Sequence, residues 1–70
     1  MVKKPMRKNL QLLRVKYGLT QAEMAARLNV SVRTYGNIET GKRNGELNFW
    51  LKLKAAFPEI TIEEMAEIEE

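Results

Sequence analysis

The chain has no cysteine, no histidine and no aspartate, and its only serine is Ser31. Without cysteine there is neither a disulfide framework nor a thiolate metal site. Without histidine or aspartate, Ser31 has no partner to serve as the base of a nucleophilic pair. No glycine-rich phosphate loop is present. These absences argue against an enzyme and leave no catalytic, metal or cofactor residues to nominate. No apolar run approaches the ~18 residues of a membrane span. The opening "MVKKPMRKNLQLLRVK" is charged and lacks an apolar stretch of signal-peptide length. The expectation is a soluble, cytoplasmic protein with no membrane partner.

What is present is charge, unevenly spread. All 12 Lys and Arg lie within residues 1–58, whereas six of the nine carboxylates lie within residues 59–70. A basic body with an acidic end suggests a polyanion partner on one side; the alternative is a solvated surface segregated by chance. A chain of 70 residues is one small domain. Such a domain buries only about 60% of its unfolded surface, which makes dimerisation a common remedy.

The apolar spacing and the punctuation predict an all-α, compact five-helix bundle. Pro5 suits a first helical position, Leu10, Leu13 and Tyr17 form a stripe, and Gly18 suits the left-handed residue after the helix. Thr20 and Glu23 spell a capping box opening a second helix over about 21–28, with Leu19 and Met24 placed as its hydrophobic staple. Asn29 tolerates a left-handed turn. Ser31 caps a third helix over about 32–39, stapled by Val30 and Tyr35 and ending near Gly41. "ELNFWLKLKAAF" is a fourth helix stopped by Pro58. Thr61 and Glu64, with Ile60 and Met65, open an acidic C-terminal helix over about 62–69.

The second and third helices are joined by about three residues, and small Ala25 lets them cross closely. This is the pattern of a helix-turn-helix, here spanning about 21–40, whose second helix enters a DNA major groove. The chain resembles the phage repressor/Cro-type (XRE-like, lambda-repressor-like) helix-turn-helix DNA-binding family. The matching residues are "YGLTQAEMAARLNVS", "YGNIETGKR", "LKLKAAF" and "ITIEEM" in that order, covering roughly 10–65. The resemblance implies a lambda-repressor-like fold and sequence-specific binding to a double-stranded DNA operator, usually as a homodimer. It suggests transcription regulation in a phage- or plasmid-type genetic switch. The runner-up reading is an antirepressor or modulator that acts on a co-encoded repressor protein and binds DNA weakly.

The family's functional positions fall as follows. Val32, Arg33 and Asn37 match residues that face base edges, and their chemistry agrees. Arg33 can bond guanine O6 and N7, Asn37 can bond adenine N6 and N7, and Val32 can touch a thymine methyl. Thr20, Gln21, Ser31, Thr40, Lys42 and Arg43 match residues that hold phosphates; the amide of Gln21 suits an anion at a helix N-terminus.

Several residues carry two readings. Gly36, inside the reading helix, marks either a close approach to DNA or protein, or mere surface variation. Lys3, Lys4, Arg7 and Lys8 are either an arm touching phosphate, its first part being the basic stretch 1–5, or a solvated terminus. Arg14 and Lys16 read as the wet side of the first helix. Glu39 reads as pairing with a nearby cation or with the second helix. Leu47, Trp50, Leu53 and Phe57 share a core stripe, which leaves Phe49 off it and exposed. If a dimer forms, the resemblance places its seam at the fifth helix and the preceding loop, with Phe49, Ile60 and Ile68 as exposed apolar candidates. The six C-terminal glutamates repel phosphate, so the fifth helix is expected to face away from the duplex.

Overall fold

The computed structural model describes residues 6–69. Lys3, Lys4 and Pro5 therefore lie outside the described residues. The element order is α1 (Lys8–Lys16), α2 (Gln21–Arg27), α3 (Val32–Glu39), α4 (Leu47–Ala56) and α5 (Ile62–Ala66). The all-α expectation holds. Among the described residues the one departure from helix and loop is a single antiparallel bridge between Met6 and Glu69.

The capping chemistry sets the helix starts. Thr20 and Glu23 form the complete capping box, each side chain bonding the other's backbone N–H. Ser31 and Thr61 accept from the N–H of Thr34 and Glu64. Gly18 adopts φ +67°, the left-handed geometry that ends α1 without the Cβ penalty other residues meet. Asn29 adopts φ +56° between α2 and α3, a left-handed geometry that Asn tolerates better than most residues with a Cβ.

The core gathers Leu10, Leu13, Met24, Ala25, Leu28, Tyr35, Ile38, Leu53 and Phe57, closed at one end by Ile60 and Met65. Trp50 joins it and lies against Gly45, where a Cβ would come within 3.1 Å of the indole nitrogen. Three expectations for α4 and its loop fail. Leu47 is 71% exposed, whereas Phe49 and Ile60 are buried. Leu47 is the first residue of α4 and projects ahead of the core, so the buried stripe begins at Phe49. Phe49 meets Trp50 edge-on at 4.8 Å and Tyr35 at 6.2 Å. Ile60 is consumed as the staple partner of Met65. Ile68 remains exposed.

Two arginines also depart from expectation. Arg14 is half-buried on α1, and its guanidinium grips both oxygens of Glu39 at 2.9 and 3.2 Å. Its remaining nitrogen donates to the Leu19 carbonyl. Arg7 is neither arm nor frayed end: it is 3% exposed. Its guanidinium donates to the carbonyls of Ile38, Arg43, Asn44 and Ala66, and lies over the Trp50 ring. The carbonyl-rich ends of α3 and α5 favour a cation there. Burial lowers the Arg7 pKa.

Helix α1 consequently starts at Lys8 rather than near Pro5, because Arg7 turns inward. Helix α5 stops at Ala66 rather than running to residue 69. Glu67 would continue a helix C-terminus already rich in carboxylates and would stack on Glu63 one turn back, and both effects disfavour it. The chain instead extends, and Glu69 pairs with Met6 through reciprocal backbone bonds of 2.9 and 3.0 Å.

Glu39 is the polar centre of the bundle. Besides Arg14 it accepts from the Tyr35 hydroxyl at 2.5 Å and from the Gln21 amide at 3.1 Å. Burial by itself raises a carboxyl pKa; the bonds from Arg14, Tyr35 and Gln21 outweigh it and hold Glu39 below the usual range. The Tyr35 hydroxyl is shifted upward by burial and by the Glu39 bond. A carboxylate with a depressed folded-state pKa stabilises the fold above its unfolded value, and that stability is lost as pH falls through the folded one. Glu39→Gln should therefore flatten the acid limb of stability below about pH 5 in chemical denaturation series. Glu39→Ala, which strands Arg14, should cost about 3–5 kcal/mol at neutral pH.

Candidate nucleic-acid interface

Helices α2 and α3 pack closely, with Ala25 buried between them and Met24, Leu28, Tyr35 and Ile38 filling the angle. The turn closes through the Val30 N–H to the Ala25 carbonyl at 3.0 Å. The buried edge of α3 carries Tyr35, Ile38 and Glu39. Its outer edge therefore carries Arg33, Asn37 and Thr40, one turn apart, with Val32 at its start. Val32 is 51% exposed and Arg33 is exposed, while Asn37 is half-buried.

The loop after α3 folds back onto this edge. Both Lys42 and Arg43 donate their backbone N–H to the Asn37 carbonyl, at 2.8 and 3.1 Å. The Arg43 carbonyl is in turn held by Arg7 at 2.7 Å. Arg33, Asn37, Lys42 and Arg43 thus line one open, mainly polar basin of about 660 Å³. Its cations are those of Arg33, Lys42 and Arg43.

The remaining sequence candidates sit around this basin with different degrees of freedom. Thr20 is exposed at the start of α2. Gln21 is half-buried, and its side-chain amide is tied to Glu39. What Gln21 offers outward is its backbone N–H, which has no intrahelical acceptor in the first turn. The Ser31 hydroxyl is occupied: it accepts from the Thr34 N–H at 3.0 Å and donates to the Thr34 hydroxyl at 2.8 Å. The Thr40 hydroxyl donates to the Gly36 carbonyl at 2.8 Å.

A second, open groove runs beside the first. Thr34 on α3 and Asn48 and Lys52 on α4 line it together with Arg43 and Asn44. The sequence reading missed Thr34, Asn48 and Lys52. Asn48 and Lys52 stand one turn apart on the side of α4 away from Trp50 and Leu53, and that polar spacing was the available signal.

A closely packed pair of short helices, the second presenting Arg33 and Asn37 outward beside a basic loop, is a helix-turn-helix. The family model for helix-turn-helix proteins matches residues 10–65, and the chain belongs to that family, in its XRE-type, lambda-repressor/Cro-like form. It is a family of DNA-binding transcription regulators. No curated protein and no solved structure matches the chain. No helix among the described residues is long and apolar enough to cross a membrane.

The geometry bears on the two readings of Gly36. A Cβ at this position would meet only the Gln21 side-chain oxygen, at 3.5 Å, an ordinary van der Waals approach. The protein interior therefore does not require glycine here. Gly36→Ala should stabilise the fold by about 1 kcal/mol, seen as a rise in Tm of roughly 4–8 °C. If affinity for DNA falls in the same variant, the glycine serves the approach of α3 to the duplex.

Proposed function

We propose that the protein is a sequence-specific, double-stranded-DNA-binding transcriptional regulator that sets α3 into the major groove of an operator. The observation that carries this is the basin in which Arg33 and Asn37 on the outer edge of α3 stand beside Lys42 and Arg43 on the returning loop. Arg33, Asn37 and Val32 read base edges; Lys42, Arg43, Thr40 and the start of α2 at Thr20 and Gln21 hold phosphates. Ser31 contributes by fixing the first turn of α3, since its hydroxyl is already engaged there. Phosphate contacts fix register while base contacts select sequence, so the two groups have separable effects. The family resemblance suggests a setting in a phage- or plasmid-type switch.

Arg33→Ala should cost about 1–3 kcal/mol on the preferred site and relax selectivity at one base pair. Lys42→Ala and Arg43→Ala should weaken all sequences alike and reduce the salt slope by about 0.9 for each phosphate left without its cation. Fluorescence anisotropy against a randomised site library and a salt series checks both. Equal binding of every DNA by the wild type and Arg33→Ala would remove α3 as the reader.

One guanidinium, that of Arg7, bonds the Ala66 carbonyl at 3.1 Å and the Arg43 carbonyl at 2.7 Å. The Ala66 carbonyl, at the root of the acidic segment, is thus joined through Arg7 to the loop that carries Lys42 and Arg43. Glu67 and Glu69 follow Ala66 in the chain, and charges interact within a Debye length of about 10 Å at 0.1 M salt. Replacing Glu67 and Glu69 with Gln should tighten DNA binding by about two- to tenfold at low salt, with the gain fading as salt screens it.

A further inference from the structure

The loop between α3 and α4 is held from two sides. On its outer side the backbone N–H groups of Lys42 and Arg43 bond the Asn37 carbonyl. Its inner side rests on Arg7, whose guanidinium donates to the Arg43 carbonyl at 2.7 Å and to the Asn44 carbonyl at 3.3 Å. Among the described residues neither of these carbonyls accepts from another donor.

Arg7 can act as a fixed support because the rest of it is anchored elsewhere. Its backbone N–H bonds the Glu39 carbonyl at 2.8 Å, at the end of α3. Its Nη1 also donates to the Ile38 carbonyl at 2.7 Å, and its Nε to the Ala66 carbonyl at 3.1 Å. The guanidinium lies over the Trp50 ring, 5.5 Å from the centroid. Trp50 in turn packs against Gly45 of the same loop. A planar fork meets carbonyls of α3, the loop and α5 at once, whereas an ammonium carries its charge on one atom. Space-filling alone does not account for the residue. Among the described residues the guanidinium has no carboxylate partner, a buried cation is costly, and an apolar side chain would fill the volume without that cost.

We propose that Arg7 is a positioning residue for DNA binding. It does not touch the duplex; its fork sets where Lys42 and Arg43 stand when they meet phosphate. The proposal rests on the reading of this loop as a phosphate holder and deepens it. Because the effect of Arg7 passes through the loop cations, it belongs to the affinity shared by all sequences and not to base selection.

Arg7→Lys keeps the charge and removes the fork. Measured by anisotropy on a panel of duplexes, it should weaken binding of every sequence by roughly three- to thirtyfold. Base preference should stay unchanged, and the salt slope should fall by about 0.9, the value of one phosphate contact. Double-variant cycles separate positioning from stability. With Lys42→Ala and Arg43→Ala already present, Arg7→Lys should change affinity by less than about twofold, whereas with Arg33→Ala it should keep its full effect. Binding is compared at a temperature where circular dichroism shows each variant folded. Amide hydrogen exchange on the wild type needs no variant: the Lys42 and Arg43 amides should be protected by about tenfold or more over an unstructured chain. Altered base preference in Arg7→Lys, a full Arg7→Lys effect without the loop cations, or unprotected loop amides overturns the proposal. A wild type that binds no duplex at low salt overturns the DNA reading and this proposal with it. A wild type that binds, with Arg7→Lys binding equally well, overturns this proposal alone.

Discussion

One buried carboxylate organises the bundle. Glu39 is 2% exposed and cannot keep its charge without partners, because the cost of an unpaired buried ion is far larger than the net stability of a small domain. It draws those partners from three elements: Arg14 of α1, Gln21 of α2 and Tyr35 of its own α3. Arg14 and Gln21 are only partly buried, whereas Tyr35 is also held by the core. Satisfying the charge therefore fixes how α1 and α2 stand relative to α3. The angle of the helix-turn-helix is set by polar geometry as well as by the close apolar crossing at Ala25.

Arg7 complements this node from the opposite sign. Among the described residues it has no carboxylate partner; it is held by carbonyls at the ends of α3 and α5 and in the loop between α3 and α4. The loop that brings Lys42 and Arg43 to Asn37 is thus supported from behind by a residue that precedes α1. Substitutions at Arg7 reach the basic basin without touching a ligand. The flat guanidinium, with donors around its rim, suits this task, where a single ammonium would not.

The sequence made the local rules visible and hid the choices between equivalent groups. Caps, staples and left-handed residues act within a few residues of chain, so Thr20, Ser31, Thr61, Gly18 and Asn29 could be placed in advance. The span of α3 and the burial of its staple residue Tyr35 followed from the same signals. Arg7 and Arg14 could not be told from the other cations, because nothing local distinguishes a cation that finds buried acceptors from one that stays in water. Phe49 and Leu47 were exchanged for a related reason: both fit an apolar stripe, and only the entry angle of α4 decides which one is covered. Among the candidate site residues, Val32, Arg33 and Asn37 came from the family resemblance, and Arg33 and Asn37 stand on the edge of α3 opposite its buried one. The commitment of the Gln21 amide and the Ser31 hydroxyl was not, since each is spent on a partner that the fold supplies.

The bridge between Met6 and Glu69 has a topological consequence. Their backbones exchange hydrogen bonds, so the described chain is nearly a closed ring. Joining the two ends by a short linker would impose little strain, and a circular permutant could then be opened elsewhere on the surface. The exposed turn at Pro58 and Glu59 would divide the α1/α5 pairing from α4 while leaving α2, α3 and their loop contiguous.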